Sequence, residues 1–340
     1  MAGANASVPP GSHGSHALDN LTLFSIDPPE SSGPDSLTFV GPKTPLRVRS
    51  NLRAGLILAE PGIEPVCAPP SPGGKTVTPI GARVVGSIET AIVLVNSVPA
   101  AMAAILTCLS DRWERTRPYA FGPGNRIAPT AVVEGCLEGN VIVGAGAYVG
   151  PGSFIGSGTR IDANAVIQEH CHIGRDCVIQ SGAVIGCAGF GFYARPAADP
   201  AESGPIESCQ EAMPHPAGVV IGDGCWIGAN AVIAAGVLEP TRLGNGCKLD
   251  SHVQIAHNVK LGEGCLLASQ SGIAGSTVAG DRLRMGGAAS VDGHLRLGND
   301  VSVAACSGVT KDVADGVTVA GFPARPIREW RRDMAHRQSP

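Results

Sequence analysis

The chain has 340 residues, of which 46 are Gly and 27 are Pro, and its formal net charge at pH 7 is −4. Hydrophobic residues make up 44% of the sequence, aromatic residues only 4% and charged residues 16%. This aliphatic content excludes a chain that is disordered throughout, and the small negative charge excludes the basic field typical of nucleic-acid-binding proteins. A glycine-rich chain with few rings instead predicts short strands between tight turns, arranged as an internal repeat.

The first third of the sequence predicts a tail and a small α/β domain. Residues 1–20 lack the basic and apolar segments of a signal peptide, so we expect a disordered tail. Residues 21–118 form the α/β domain, with strands at 37–40, 55–58 and 92–95. The uncharged stretch 91–109 is interrupted by Asn96, Ser97 and Pro99. A strand, a Ser97 cap and a helix to Leu109 explain that stretch better than a transmembrane segment does.

An aliphatic residue recurs every six positions through most of the remaining chain. The first run of these positions contains only β-branched residues: Val143, Val149, Ile155, Ile161, Ile167, Ile173, Ile179 and Ile185. The second run is Leu243, Leu249, Ile255, Leu261, Leu267, Ile273, Ala279, Met285, Val291, Leu297, Val303 and Val309. This period predicts a parallel β-helix in which three hexads make one coil, with about nine coils over residues 127–325.

Two segments interrupt the period within the predicted β-helix domain, residues 119–322. The longer one, residues 186–218, holds three aromatic residues, and a long loop in a regular solenoid is more often functional than accidental. The shorter one, residues 239–242, supplies four residues where six are expected. Residues 323–340 are rich in Arg and predict a short C-terminal helix.

The sequence has eleven Cys and no CxxC pair. Five of them precede an aliphatic position by two residues, as small core residues would: Cys171, Cys177, Cys225, Cys247 and Cys265. We therefore expect reduced, buried thiols in a cytoplasmic protein rather than a disulfide framework.

One corner of the predicted coil combines residues suited to acyl transfer. His257 is the third residue of its hexad, Gly275 has the same place one coil later, and Gly293, followed by His294, has it after another coil. An imidazole beside a free glycine N–H offers a base and a donor for a developing oxyanion. Asp250, seven residues before His257, is a candidate to hold the imidazole in the required tautomer.

The motifs around this corner resemble those of UDP-3-O-acylglucosamine N-acyltransferases, the β-helix enzymes of lipid A biosynthesis. They are QIAHN at 254–258, SGIAGS at 271–276, GGAASVDGH at 286–294, GFGF at 189–192 and AGFPARPIREW at 320–330. Residues 35–43, DSLTFVGPK, resemble the start of the family's uridine-binding domain. The resemblance covers about residues 30–330 and implies a left-handed coil, where general crossover rules favour a right-handed one. It also implies a homotrimer with sites between subunits, the 186–218 loop covering a neighbour's site.

The resemblance further implies a reaction and a role for each corner residue. The 2-amine of UDP-3-O-(3-hydroxyacyl)glucosamine attacks the thioester of a 3-hydroxyacyl chain on acyl carrier protein. His257 is then the general base and Asp250 orients it, while the Gly275 N–H stabilises the oxyanion and His294 assists. The phosphopantetheine of the carrier belongs to the donor substrate, so neither a metal nor another cofactor is expected.

Binding residues are assigned from the same resemblance. For the UDP-sugar substrate they are Phe39, Phe190, Phe192, Tyr193 and Gln254; for the carrier protein and its pantetheine arm they are Lys311, Arg325 and Arg328. The chain departs from the family in the uridine domain, where Gly41 and Thr44 replace an Asn and a Tyr, and at 233–237, IAAGV. These departures bear on the identity of the substrate more than on acyl transfer.

Three alternatives remain open at this point. One is another β-helix acyltransferase acting on a sugar nucleotide. Another is a zinc enzyme resembling γ-carbonic anhydrases, with His252, His257 and His215 as ligands. The last is a scaffold without catalytic activity, which leaves the alignment of His257 with Gly275 unexplained.

Overall fold

The computed structural model describes residues 25–26, 36–40, 56–59, 91–95, 97–113, 120–194, 210–322 and 324–338. The predicted tail, Gly41 and Thr44 lie outside these residues. The chain divides into two compact units: Met1–Ile105 with Phe192–Glu211, and Leu106–Gly191 with Ala212–Pro340. Each unit is described by itself.

The smaller unit contains a four-stranded parallel sheet whose strands are adjacent in chain order. They are Ser25–Ile26, Ser36–Val40, Leu56–Ala59 and Ala91–Leu94. The core of the sheet includes Val40 and Ile57 on the inner strands, which are fully buried, and Ile92 on the last strand. Three of these strands match the predicted ones to within one residue.

Helix α1, Val98–Trp113, follows the last strand of that sheet. Ser97 caps it, because the Ser97 hydroxyl accepts a hydrogen bond from the Ala100 N–H at 3.4 Å. The predicted strand, cap and helix for the uncharged stretch are therefore confirmed, although the helix continues to Trp113 and does not end at Leu109. Among the helices of the described residues, none combines the length and the apolar character needed to span a membrane.

The larger unit is a parallel β-helix with three sheets, visited in turn by successive hexads. Sheet I consists of Cys136–Leu137, Phe154–Ile155, His172–Ile173, Val219–Ile221, Thr241–Leu243, Lys260–Leu261, Val278–Ala279 and Arg296–Leu297. Sheet II consists of Arg126–Ile127, Ile142–Val143, Arg160–Ile161, Val178–Ile179, Trp226–Ile227, Lys248–Leu249, Leu266–Leu267, Arg284–Met285, Ser302–Val303, Thr318–Ala320 and Arg325–Pro326. Sheet III consists of Val132–Val133, Tyr148–Val149, Val166–Ile167, Val184–Cys187, Val232–Ala234, Gln254–Ile255, Gly272–Ile273, Ser290–Val291 and Gly308–Val309.

The aliphatic residues of the six-residue period form the core of this β-helix. All twenty are buried, and the most accessible, Leu261, is only 5% exposed. Within each regular run, partners on neighbouring coils are eighteen residues apart, as in the pairing of Ile155 with Ile173. Across the short interruption Ile221 pairs with Leu243, twenty-two residues later, so this segment adds four residues to a coil and does not shorten a hexad. Burial of each side chain contributes about 1.5–3 kcal/mol before entropy is subtracted. The predicted fold class is confirmed as mainly β, with hexapeptide coils, a small N-terminal α/β unit and a C-terminal helix.

The corners between sheets depend on residues with a left-handed backbone. Among the residues that the structure describes, fourteen non-glycine residues have positive φ, from 50° to 62°, and these lie in the β-helix. Several are Asn or Asp, such as Asn164, Asn230 and Asn258, which adopt this conformation at the lowest cost after Gly. A corner of this kind turns the chain sharply between two flat strands.

The five Cys predicted to be buried are at most 1% exposed. Thiols on successive coils donate to carbonyl groups of the next coil, from Cys177 to Gly222 and from Cys225 to Gly244, both at 3.2 Å. Burial raises the pKa of the Cys171 thiol to about 12. The prediction of reduced, buried thiols is confirmed for these five, which are all free.

The long interruption of the period lies where the sequence predicts it. The coil leaves sheet III after Val184–Cys187 and resumes at Val219–Ile221. Between them, Phe192–Ala194 and Gln210–Ala212 form a two-stranded sheet, while residues 195–209 lie outside the described residues.

The C-terminal end of the β-helix closes with an antiparallel pair, Thr318–Ala320 with Arg325–Pro326. Helix α2, Ile327–Gln338, follows directly and confirms the predicted C-terminal helix.

We expect Ile179→Ala to destabilise the β-helix by about 2–5 kcal/mol, because Ile179 is fully buried and its truncation leaves a cavity. Val178→Ala is the matched control, since Val178 lies on the same strand and is only half-buried. Urea denaturation followed by circular dichroism measures both. Equal shifts of the two midpoints would contradict the assignment of the core.

Candidate functional site

One column of corner residues follows sheet III. Its members come two positions after the buried aliphatic residue of each coil: His257, Gly275, Gly293 and Lys311. Because paired strands of successive coils are eighteen residues apart, these positions stack at about 4.8 Å per coil. The structure thus brings His257 and Gly275 together as predicted, in what we call the His257 column.

The His257 imidazole lies directly against Gly275. A Cβ added to Gly275 would be 2.7 Å from both Cε1 and Nε2 of His257, so any side chain there would displace the ring. Within the described residues, the Gly275 N–H has no hydrogen-bond acceptor, whereas the Gly293 N–H donates to the Asp292 carboxylate at 2.8 Å. Of the two glycines in the column, only Gly275 therefore keeps its N–H available among the described residues, and it lies beside a histidine ring.

Asn258 orients the His257 ring. The Asn258 Nδ2 donates to the Glu239 carbonyl at 2.9 Å, which leaves Oδ1 to accept from the Val237 N–H at 3.3 Å and to face His257 Nδ1 at 3.1 Å. The Thr241 hydroxyl fixes the backbone by accepting from the Asn258 N–H at 2.8 Å. An acceptor at Nδ1 requires Nδ1 to carry the proton, so the Nε2 lone pair is free to act as a base.

Asp250 lies elsewhere on the chain. It is exposed in the corner that follows sheet II, and its carboxylate accepts from the Ser251 N–H at 2.7 Å. It lines a groove of about 560 Å³ on the outer face of sheet II, with Trp226 and Arg284. A single chain therefore does not bring Asp250 to His257, and its role there stays a prediction.

Asn258 is the site residue that sequence reasoning missed. A signal for it is present, because Asn258 directly follows His257 at a corner position that favours Asn. Its partners Glu239 and Thr241 come from the short interruption of the repeat, which no spacing argument connects to His257.

His294 lies close to Gly275. Its N–H donates to the Gly275 carbonyl at 3.0 Å, and its side chain is exposed at a corner with φ 62°. Two coils separate His294 from His257, which is about 10 Å along the column. The structure thus places the His294 backbone against Gly275, while its side chain does not lie next to the His257 ring.

A second imidazole, that of His215, contacts His257. The two ring centroids are 5.3 Å apart and the ring planes meet at 63°. The backbone at Gly189 lies against both residues, since a Cβ added there would be 2.5 Å from His215 Nε2 and 2.8 Å from His257 Cβ. Burial, together with the nearby His257, lowers the pKa of His215, so His215 is neutral at pH 7.

The zinc alternative required His252 beside these two histidines. His252 is exposed in the corner that follows sheet II, at the opposite edge of sheet III from His257. In the part of the chain that the structure describes, no three His, Cys, Asp or Glu side chains are grouped as metal ligands. The three histidines therefore do not form that ligand set.

The residues assigned to the UDP-sugar differ in their surroundings. In the smaller unit, Phe39 is 5% exposed within the sheet, and the Tyr193 hydroxyl donates to the Glu211 carboxylate at 2.7 Å. Phe192 is 53% exposed in that unit, and Phe190 is 91% exposed in the β-helix unit. Gln254 is exposed on the outer face of sheet III, beside Gly272. Their roles in binding stay predictions.

The residues assigned to the carrier protein lie near the C-terminal end of the β-helix. Lys311 is exposed in the His257 column, two coils beyond Gly275. Arg325 forms an ion pair with Asp333 of helix α2, whereas Arg328 is exposed on that helix. Arg325 is therefore partly engaged within the chain, and binding of a carrier stays a prediction for all three.

Residues 152–187 and 240–275 match the family described as bacterial transferase hexapeptide (six repeats). The chain is 36% identical over 157 residues to a UDP-3-O-acylglucosamine N-acyltransferase of Caulobacter sp. (strain K31), covering 46% of this chain and 43% of the relative. It is 40% identical over 168 residues to a probable mitochondrial UDP-3-O-acylglucosamine N-acyltransferase 2 of Arabidopsis thaliana, covering 49% and 52%. The chain thus spans about half the length of the curated relatives that it matches.

Among solved structures, the chain is similar to a UDP-N-acetylglucosamine O-acyltransferase of Moraxella catarrhalis. The TM-score is 0.48 and the sequence identity 25%, over 63% of this chain and 77% of that one.

We expect nitrogen NMR spectra to show His257 mainly as the Nδ1–H tautomer, because the Asn258 Oδ1 can only accept. In Asn258→Ala the acceptor is lost, and the Nε2–H tautomer should become populated. Asn230→Ala is the matched control, since Asn230 has the same positive φ at another corner. An unchanged His257 spectrum in Asn258→Ala would contradict this orientation.

Proposed function

We propose that this protein is an N-acyltransferase that moves a 3-hydroxyacyl chain from acyl carrier protein to the 2-amine of UDP-3-O-(3-hydroxyacyl)glucosamine. The observation that carries the proposal is the pairing of an oriented His257 with the available N–H of Gly275. The hexapeptide repeats and the similarity to UDP-3-O-acylglucosamine N-acyltransferases support the choice of substrates.

The reaction follows from the chemistry of these two groups. The amine attacks the thioester carbon, and His257 Nε2 removes the proton that the amine loses as the C–N bond forms. Negative charge develops on the carbonyl oxygen, where the Gly275 N–H donates a hydrogen bond. The intermediate collapses, the C–S bond breaks, and the protonated His257 returns its proton to the leaving pantetheine thiolate.

The two substrates would reach this corner from different directions. The phosphopantetheine arm would follow the His257 column from the C-terminal end, where Lys311 and Arg328 offer positive charge to an acidic carrier protein. The UDP-sugar would be held by Phe39, Phe190, Phe192, Tyr193 and Gln254. His294 would assist next to Gly275, and no cofactor beyond the pantetheine of the donor is proposed.

The assembly belongs to the same proposal. Because Asp250 and His257 lie on different corners of one chain, a contact between them would require two subunits. A homotrimer with sites between its subunits would supply it. We propose that this enzyme acts in the cytoplasm.

For His257→Ala we expect the rate of N-acylation to fall by about 10²–10⁴-fold, because the general base is lost. His252→Ala, an exposed corner histidine after sheet II, should keep the wild-type rate. Mass spectrometry of product from UDP-3-O-acylglucosamine and acyl carrier protein gives both rates, with UDP-N-acetylglucosamine as the competing acceptor. A wild-type protein that does not acylate the amine of UDP-3-O-acylglucosamine, or a folded His257→Ala near the wild-type rate, would overturn the proposal.

Gly275→Ala should also lower the rate by about 10²-fold, because its Cβ displaces the His257 ring. A displacement of about 1 Å of a catalytic group is enough to lower the rate by that factor. The matched control is Gly293→Ala, whose Cβ would have the Gly275 carbonyl as its nearest atom, at 3.1 Å. The same product assay, with thermal melting to confirm folding, compares the two. Equal rates for the two variants would argue against a role for the contact between His257 and Gly275.

A further inference from the structure

His215 carries two polar atoms that the fold leaves unused. Both ring nitrogens are buried, and neither makes a hydrogen bond of ordinary length and angle with the residues that the structure describes; the Met213 backbone comes close enough only to favour the charged ring weakly. A buried polar group without a partner costs about 1–3 kcal/mol, and native proteins contain few of them. Because the unpartnered nitrogens of His215 are costly and the ring contacts the proposed base, we expect a ligand to form hydrogen bonds with them.

The chain that borders the His215 ring includes two glycines. Two glycines of the 186–218 loop border the ring, with Gly189 near Nε2 and Gly191 near Cε1. The Met213 N–H donates to the Gly191 carbonyl at 2.9 Å, which ties the segment before His215 to these glycines. The His257 ring is a further neighbour, so a group that reaches the His215 nitrogens lies beside the proposed reaction centre.

The chemical form of His215 narrows the choice of ligand. Its lowered pKa keeps the ring neutral, so it offers one N–H donor and one lone pair. A neutral imidazole has no charge with which to attract a phosphate, but it matches a hydroxyl group, which both donates and accepts.

We propose that His215 is a substrate-binding residue that hydrogen-bonds a hydroxyl group held beside His257. This inference rests on the proposed function, whose substrates offer such a hydroxyl in two places, on the acceptor sugar and at carbon 3 of the acyl chain. Edge contact with the His257 ring alone would not require nitrogen atoms, because a phenyl ring packs in the same way. The two unpartnered nitrogens of His215 therefore favour a role in substrate binding over a role in packing against His257.

Replacement of His215 by Phe and by Gln separates these two roles. Phe keeps a ring but has no polar atoms, whereas Gln can donate and accept. We expect His215→Phe to raise the KM for the substrate that carries the bound hydroxyl group by about tenfold, which is the effect of one lost hydrogen bond. His215→Gln should restore much of that binding, because Gln can also donate and accept. His172→Phe is the matched control, because His172 is exposed in sheet I and stacks on Phe154.

The assay uses the full chain and measures kcat and KM for the acceptor, with carrier-bound 3-hydroxyacyl chains and with matched chains that lack the hydroxyl. A raised acceptor KM identifies the sugar hydroxyl. Loss of the preference for 3-hydroxyacyl donors identifies the hydroxyl of the acyl chain, and either result supports the proposal.

Three outcomes would overturn it. The first is an unchanged KM and donor preference in His215→Phe, and the second is an equal loss of kcat in the Phe and Gln variants without a change in KM. The third is a wild-type protein that transfers no acyl chain to an amine, which also overturns the proposed function. In the first two outcomes the wild-type enzyme is active, so a failure of the proposed role of His215 can be distinguished from a failure of the proposed function.

Discussion

The stacking of one aliphatic side chain on its equivalent eighteen residues later is the constraint on which the rest of this structure depends. It keeps the regular coils the same length, so a corner residue of one such coil lies next to its counterpart in the next. The His257 column follows from this regularity alone. A base and a glycine that are distant in the sequence become neighbours because both stand at the same place in a repeat.

The two breaks in the repeat add what a regular solenoid cannot supply. The short break carries Glu239 and Thr241, which hold Asn258 and through it the tautomer of His257. The long break carries Gly189 and His215, which lie against the His257 ring. Irregular segments thus give one corner of an otherwise uniform column its own chemistry, while the coils beneath provide a rigid support.

Sequence reasoning succeeded where periodicity applies and failed where contacts cross between periods. The buried aliphatic residues, the thiols and the pairing of His257 with Gly275 are all consequences of a six-residue spacing. The spacing of seven residues places Asp250 and His257 at corners on opposite edges of sheet III, so the contact between them stays a prediction about two subunits. Within one chain Asn258 holds the ring, a role that sequence reasoning missed, through a network that includes Glu239, nineteen residues away.

The sequence by itself determined the β-helix, the residues of its core and the column that contains His257, because one exact period decides which residues face inward and which ones stack. Only the tertiary structure decided the environment of that histidine. The orientation of the ring by Asn258 and the contact with His215 depend on how two aperiodic segments fold back onto the coil. Such contacts are set by packing and hydrogen bonding between residues that no repeat relates.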